Sequence, residues 1–169
     1  MKKIAVILLL FSAFVAAPAY AVGGKNSVGV NYGLDYSGVF GIQGEFDISS
    51  MTNKAPVSVQ VFWKNYSRSY FVPGWGTYKW SYNGLGAAGI YDFSSVAKLD
   101  KKIKPYAGLG LIILSSSLSG PASGFGAPGA DSGGLYLTGG VRYALTPQFA
   151  VDLNYNNFGG ITFGANFSF

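Results

Sequence analysis

Eight segments of this chain alternate apolar and polar residues with a period of two. That is the side-chain period of a β-strand, whose successive side chains point to opposite faces. The last segment shows it most plainly. In ITFGANFSF (161–169), Ile161, Phe163, Ala165, Phe167 and Phe169 share one face, and Thr162, Gly164, Asn166 and Ser168 the other. The termini of soluble domains are usually polar and frayed, so an apolar strand ending on phenylalanine points to a neighbour other than water. The other alternating runs are 27–36, 40–48, 57–64, 78–93, 107–113, 135–143 and 149–155. Within 78–93 the apolar set Tyr78, Trp80 and Tyr82 gives way at Asn83-Gly84 to Leu85, Ala87, Gly89, Tyr91 and Phe93. A phase slip at a glycine predicts a β-bulge.

The medium follows from composition. Apolar residues make up 49% of the chain and charged residues 11%, against about 25% charged in a typical soluble domain. A water-facing surface needs more charge than this, which argues against a soluble sandwich or calycin-type barrel. The chain opens with MKK, the apolar run IAVILLLFSAFVAA, and PAYA with Ala19 and Ala21 in A-x-A spacing. This layout predicts a signal peptide over residues 1–21, cleaved after Ala21. The run is short for a spanning helix, and no cysteine follows it to carry a lipid. Residues 22–169 then form one exported domain that contains no long apolar helix. In hydrocarbon every backbone N–H and C=O must be paired internally, and the closed β-barrel is the remaining solution. The predicted fold is all-β: an eight-stranded antiparallel up-and-down transmembrane β-barrel. Ten strands would need two more alternating runs.

Loop lengths orient the barrel, because outer-membrane barrels have short periplasmic turns and longer outside loops. The outside loops are then 37–38, 67–76, 115–133 and 156–160, and 94–104 is long for an inner turn. Tyr36, Trp63, Tyr66, Tyr78, Trp80 and Tyr155 are expected near the outer rim. Phe46, Tyr91, Phe93, Tyr106, Phe149 and Phe169 are expected near the inner rim. Asp35, Glu45, Asp47, Asp92, Asp152, Lys64, Lys79 and Arg142 fall on inward faces. Charges in a narrow lumen must pair or cost several kcal/mol each. A network of Glu45, Asp47, Lys64, Arg142 and Asp152 is therefore expected to plug the barrel and fix its register. Partner exchange within it would instead open a low-conductance pore.

The signal peptide and the eight runs together resemble small bacterial outer-membrane barrels of the OmpA-like, OmpX-like and opacity types. The resemblance implies a location in the outer membrane of a Gram-negative envelope. It also implies that the terminal strand, with Ile161, Phe163, Phe167 and Phe169, is the address read by the barrel-assembly machinery. Known barrel enzymes of that membrane resemble one another in relying on a catalytic histidine. This chain has no histidine and no cysteine, so neither His-based catalysis nor a thiolate or imidazole metal site can be built. GLGAAG (84–89) matches a dinucleotide fingerprint only in letters, since a strand and not a helix surrounds it. No cofactor is expected. Twelve basic and seven acidic residues make too mild an excess for a nucleic-acid partner.

The expected partners are membrane lipid and lipopolysaccharide, with Arg68 and Lys79 as phosphate contacts. The segment 98–104 is basic and reads as a solvated turn that could also touch phospholipid headgroups. In the 67–76 loop, Arg68, Tyr70, Phe71 and Trp75 are either anchors for an extracellular ligand or host surface, or girdle aromatics that extend past the membrane edge. The predicted function is non-enzymatic: a structural or adhesin-like surface protein with a plugged polar interior. The second reading is a low-conductance pore or a conduit for small hydrophobic molecules.

Overall fold

A computed structural model describes residues 26–34, 38–53, 55–97, 99–100, 102–121 and 132–169. The segment read as a signal peptide, together with Asp35, Tyr36 and residues 122–131, lies outside them. Eight strands form: β1 (Ser27–Gly33), β2 (Val39–Asp47), β3 (Val57–Val72), β4 (Gly76–Asp92), β5 (Ile103–Ser119), β6 (Ser132–Ala144), β7 (Phe149–Asn156) and β8 (Gly160–Ser168). Each pairs antiparallel with the next, and β8 pairs with β1, so the sheet closes into a barrel. At the seam the amide of Phe169 donates to the carbonyl of Asn26 at 2.9 Å. Closure leaves no open edge around the wall. No helix among the described residues is long and apolar enough to cross a membrane.

The alternation in the sequence becomes the inside and outside of this wall. Leu109, Leu111 and Ile113 of β5 face outward, and Leu111 is 68% exposed. Leu153, Tyr155, Ile161, Phe163 and Phe167 continue the apolar exterior around β7 and β8. The inward positions include Lys64 at 2% exposure, Asp152 at 3%, and the buried Asn31, Asn154, Asn156, Thr162 and Asn166. Apolar outside and polar inside is the reverse of a water-soluble fold, and it suits a barrel surrounded by hydrocarbon.

Short turns close the end that carries the termini. Asp47 Oδ1 accepts the amide of Ser49 at 2.7 Å, and Asp92 Oδ1 accepts that of Ser94 at 2.7 Å. Asp100 Oδ1 accepts from Lys102 N at 2.8 Å, and Thr146 Oγ1 from Phe149 N at 3.0 Å. Side-chain acceptors two or three residues ahead of an amide replace the ladder bonds lost at strand ends. A single helical turn, α1 (Ser94–Ala97), occupies the longest of these connections.

At the opposite end, among the described residues, three strands outrun the rest. Among the described residues, β2 pairs with β3 as far as Val39↔Tyr66, and β6 with β5 as far as Ser132↔Leu114. β3 and β4 nevertheless stay paired to Val72↔Gly76, and β5 follows β4 to Lys79↔Ser119. The 67–76 segment is therefore mostly paired strand and not the loop read from sequence. Its turn rests on Pro73-Gly74. Trp75 N donates to Val72 O at 3.0 Å, and Gly74 takes φ 79°, which a Cβ would disfavour. The result is a three-stranded apron standing above one side of the barrel.

The predicted bulge at Asn83-Gly84 is absent. The β3–β4 register runs without interruption from Val57↔Tyr91 to Val72↔Gly76, and β4–β5 is equally regular. What switches at this point is the chemistry of the two faces. Below it, Leu85, Ala87 and Tyr91 face outward, as Trp63 does on β3. Above it, the outward positions are Asn83, Ser81 and Lys79, and Tyr82, Trp80 and Tyr78 face inward. One unbroken strand thus carries an apolar outer face below this point and a polar one above it.

Inward glycines make room for large neighbours. A Cβ on Gly86 would lie 2.4 Å from Phe62 Cζ and 2.5 Å from Leu111 O, whereas one on the outward Gly89 meets only Leu109 O at 4.0 Å. Gly86→Val should destabilise the barrel by about 1–3 kcal/mol through overpacking. Gly89→Val should be close to neutral. Urea unfolding in lipid vesicles, followed by heat-modifiable gel mobility, measures both.

Candidate functional site

The lumen is divided lengthwise. On the β3–β6 side Phe62, Ala88, Ile90, Tyr106, Ile112 and Tyr136 form a buried cluster, with Leu114 and Phe158 packed against it. The Phe62 and Tyr136 rings lie 4.2 Å apart. The other side is polar. Asn31 donates to Gln43, and Gln43 to Asn166, both at 3.0 Å. Asn156 donates to Asn154 at 3.2 Å and to Thr162 at 2.9 Å, and Asn154 donates to Asp152 at 3.1 Å.

Charged groups join the two halves. Arg142 on β6 reaches across to Glu45 on β2 in a bidentate pair, Nη1 to Oε1 at 3.0 Å and Nη2 to Oε2 at 2.5 Å. Ser58 Oγ donates to the same carboxylate at 2.5 Å. The Arg142 guanidinium also covers the Tyr106 ring at 4.3 Å. Tyr106 donates its hydroxyl to both oxygens of Asp152, at 3.1 and 3.0 Å. Lys64 sets its ammonium 5.2 Å from the Tyr136 ring centroid and 5.8 Å from that of Phe62. A cavity of about 180 Å³ opens below the Arg142–Glu45 pair at the end carrying the termini, lined by Asp47, Asp92 and Lys104 among others.

Among the described charges placed inward from sequence, Lys79 faces outward, while Asp47 and Asp92 keep the inward side but serve turns. Asp47 serves the turn after β2 through Ser49 and pairs with no cation among the described residues. Lys79 points outward and is exposed, because β4 keeps its phase through Gly84. Tyr106, assigned to the inner girdle, is luminal. Extending the alternation of Gly108 and Gly110 back by one step places it there. The outer surface does carry aromatics at both rims. Phe40 meets Trp63 edge-on at 6.4 Å, and Tyr91 meets Phe93 at 4.8 Å. Of the terminal-strand set, Ile161, Phe163, Phe167 and Phe169 are all outward and about half exposed.

The apron presents the second constellation. Its inward face carries the cross-strand pairs Tyr66↔Tyr82, Arg68↔Trp80 and Tyr70↔Tyr78, continued on β5 by Ser116 and Leu118. Tyr66 stacks with Tyr82 at 6.0 Å, Tyr82 with Trp80 at 5.9 Å, and the Arg68 guanidinium covers Tyr70 at 4.8 Å. Of the four loop residues singled out in the sequence, Arg68 and Tyr70 share this face. Phe71 lies on the opposite one and is 71% exposed, and Trp75 sits in the turn. Tyr66, Tyr78, Trp80 and Tyr82 were assigned to the outer girdle, but they line the inner face of the apron.

A closed eight-stranded barrel with an apolar exterior and a polar lumen invites comparison with known barrels. The family model described as "Opacity family porin protein" matches residues 19–167. The chain belongs to that family. No curated protein matches it in sequence. Solved structures share its fold at low identity. The N-terminal β-barrel domain of Pseudomonas aeruginosa OprF aligns with TM-score 0.52 at 12% identity, over 86% of this chain and 97% of that one. Ail of Yersinia pestis in a phospholipid nanodisc aligns with TM-score 0.53 at 15% identity, over 86% and 99%. A major outer membrane protein from Thermus thermophilus gives the same score, identity and coverage as Ail. This opacity-family chain is a protein of the bacterial outer membrane, where its apolar exterior meets lipid. By the loop-length rule the apron faces outside the cell.

The Arg142–Glu45 pair is largely withdrawn from solvent. Arg142→Ala leaves a carboxylate without its partner and should cost on the order of 3 kcal/mol. The double variant Glu45→Gln/Arg142→Met should lose much less. Urea midpoints of the wild type, the two single variants and the double variant measure the coupling.

Proposed function

We propose that this opacity-family barrel is a non-enzymatic surface-interaction protein whose interior is closed and whose contact surface is the inner face of the apron. The observation that carries the reading is the gathering of Tyr66, Arg68, Tyr70, Tyr78, Trp80 and Tyr82 on one face above the membrane. Tyr, Trp and Arg are the side chains that most often anchor binding surfaces. The strand pairing of β3, β4 and β5 holds them in place, so little ordering entropy is lost on contact. Arg68 forms no salt bridge among the described residues, and no carboxylate lies between Asn65 and Tyr91. Among the described residues the face therefore offers a cation without a paired carboxylate, set among aromatic rings.

The lumen supports the closed reading. Phe62, Ile90, Ile112 and Tyr136 fill one half, and the Arg142–Glu45 pair bridges to the other. An ion would have to displace packed rings or break the pair to pass.

Two measurements test the proposal together. Refolded protein inserted in a planar bilayer should show no steady single-channel openings. Discrete openings would favour the pore reading, with Arg142 and Glu45 as the first residues to vary. Arg68→Ala/Trp80→Ala should abolish binding of protein-bearing cells to an extracellular surface that the wild type binds, while the amount of folded barrel stays constant. Sucrose octasulfate, the heparin analogue seen bound to Ail, is a convenient first soluble competitor. Binding that survives the double variant would remove the aromatic face from the account.

A further inference from the structure

The cavity below the Arg142–Glu45 pair carries groups that neither the closed lumen nor the apron uses. Its volume is about 180 Å³, below the ~300–1,000 Å³ of pockets that enclose drug-sized ligands. A guest the size of an amino acid suits it. It opens at the end that carries the termini, opposite the apron, so by the loop-length rule its mouth faces the periplasm.

Two residues that line it hold buried N–H groups with no partner among the described residues. Asn166 is 5% exposed, and its Nδ2 has no acceptor, because the relay from Gln43 uses only its Oδ1. Arg142 spends Nη1 and Nη2 on Glu45 and leaves Nε buried without an acceptor. A buried donor without an acceptor is costly, and native interiors hold few of them. Lys104 stands directly opposite Arg142 in the β5–β6 register and shares its face of the wall. It forms no salt bridge among the described residues. Together these three side chains are a donor set for a carboxylate.

Asp47 and Asp92 bring the opposite chemistry to the same cavity. Each gives Oδ1 to the amide two residues on and leaves Oδ2 without a hydrogen bond among the described residues. They come from β2 and β4, whereas Lys104, Arg142 and Asn166 come from β5, β6 and β8. The Arg142–Glu45 pair compensates itself, so the lining keeps two carboxylates and one ammonium. A guest with one carboxylate and two ammonium groups balances that set.

We infer that this cavity binds a free amino acid with a cationic side chain, taken from the periplasm. The guest's carboxylate accepts from Asn166 Nδ2, Arg142 Nε and Lys104, and its two ammonium groups meet Asp47 and Asp92. The site lies at the other end of the barrel from the aromatic face and does not depend on what that face binds.

Protein refolded in phospholipid nanodiscs, with both mouths of the barrel open to buffer, provides the test. The NMR signals of the Asn166 side-chain amide and the Arg142 Nε–H read the two unpartnered donors directly. Free lysine should shift both saturably. Cadaverine, which is lysine without its carboxylate, should leave them unmoved. Glutarate, which has no ammonium group, should bind at least about tenfold more weakly than lysine. Asp47→Asn/Asp92→Asn keeps both turn acceptors and removes both charges. It should fold, yet bind lysine at least about tenfold more weakly. Lys104 is exposed, and Lys104→Ala should also fold and weaken lysine binding. Arg68→Ala/Trp80→Ala should bind lysine as the wild type does, which separates this site from the apron. Lysine that leaves both signals unmoved would overturn the inference. So would equal shifts with cadaverine, which would reduce the site to an acidic cluster, or undiminished lysine binding in Asp47→Asn/Asp92→Asn.

Discussion

Backbone hydrogen bonding in hydrocarbon is the constraint on which everything else here rests. No water is available there to an unpaired N–H or C=O. Eight antiparallel pairings satisfy the wall, and the last of them, β8 to β1, removes the two edges an open sheet would leave. Closure then dictates the side-chain pattern. One face of every strand must suit lipid and the other must fill a lumen too narrow for much beyond side chains. The outward leucines, valines and aromatics and the inward glycines, asparagines and paired charges are two consequences of one geometry.

The lumen shows how a small interior is filled when both its halves must be satisfied. Apolar side chains occupy the β3–β6 side, where Gly86 and Gly108 leave space for Phe62 and Ile90. Amides occupy the other side in two short relays that end on Asn166 and Thr162. Tyr106 belongs to both halves, with its ring in the apolar cluster and its hydroxyl on Asp152. Arg142 uses the same ring as a platform while it holds Glu45 across the lumen. Rings, amides and ions thus share one network that ties β2, β5, β6 and β7 together.

The strands and their inward and outward faces were legible in the sequence, because period two survives wherever the medium on each side stays constant. The runs at 107–113, 135–143 and 149–155 face as their alternation implies. The failures occur where the medium changes. At Asn83-Gly84 the apolar set moves to the other parity, and a sequence read alone assigns that to the backbone as a bulge. The backbone is regular, and what changes is the polarity of its outward side chains. The same step hid Tyr66, Trp80 and Tyr82, which resemble girdle aromatics in composition but share parity with luminal Lys64 and Gly84. Asp47 keeps the inward parity its alternation implies but is not seen in the charge network, because a carboxylate two residues ahead of a free amide serves the turn. Pairing between particular charges, such as Arg142 with Glu45, depends on which strands face each other across the lumen, and alternation carries no information on that.

The central claim is that one regular strand crosses from hydrocarbon to water with its apolar face inverted. Single cysteines placed from Thr77 to Tyr91 in this cysteine-free chain, spin-labelled in phospholipid bilayers and read against oxygen and a water-soluble nickel chelate, test it directly. Leu85, Ala87, Gly89 and Tyr91 should report lipid, and Ser81 and Lys79 should report water. Tyr78, Trp80 and Tyr82 should report no contact with lipid. Lipid exposure at Trp80 and Tyr82, with Ser81 turned inward, would restore the bulge and contradict the account.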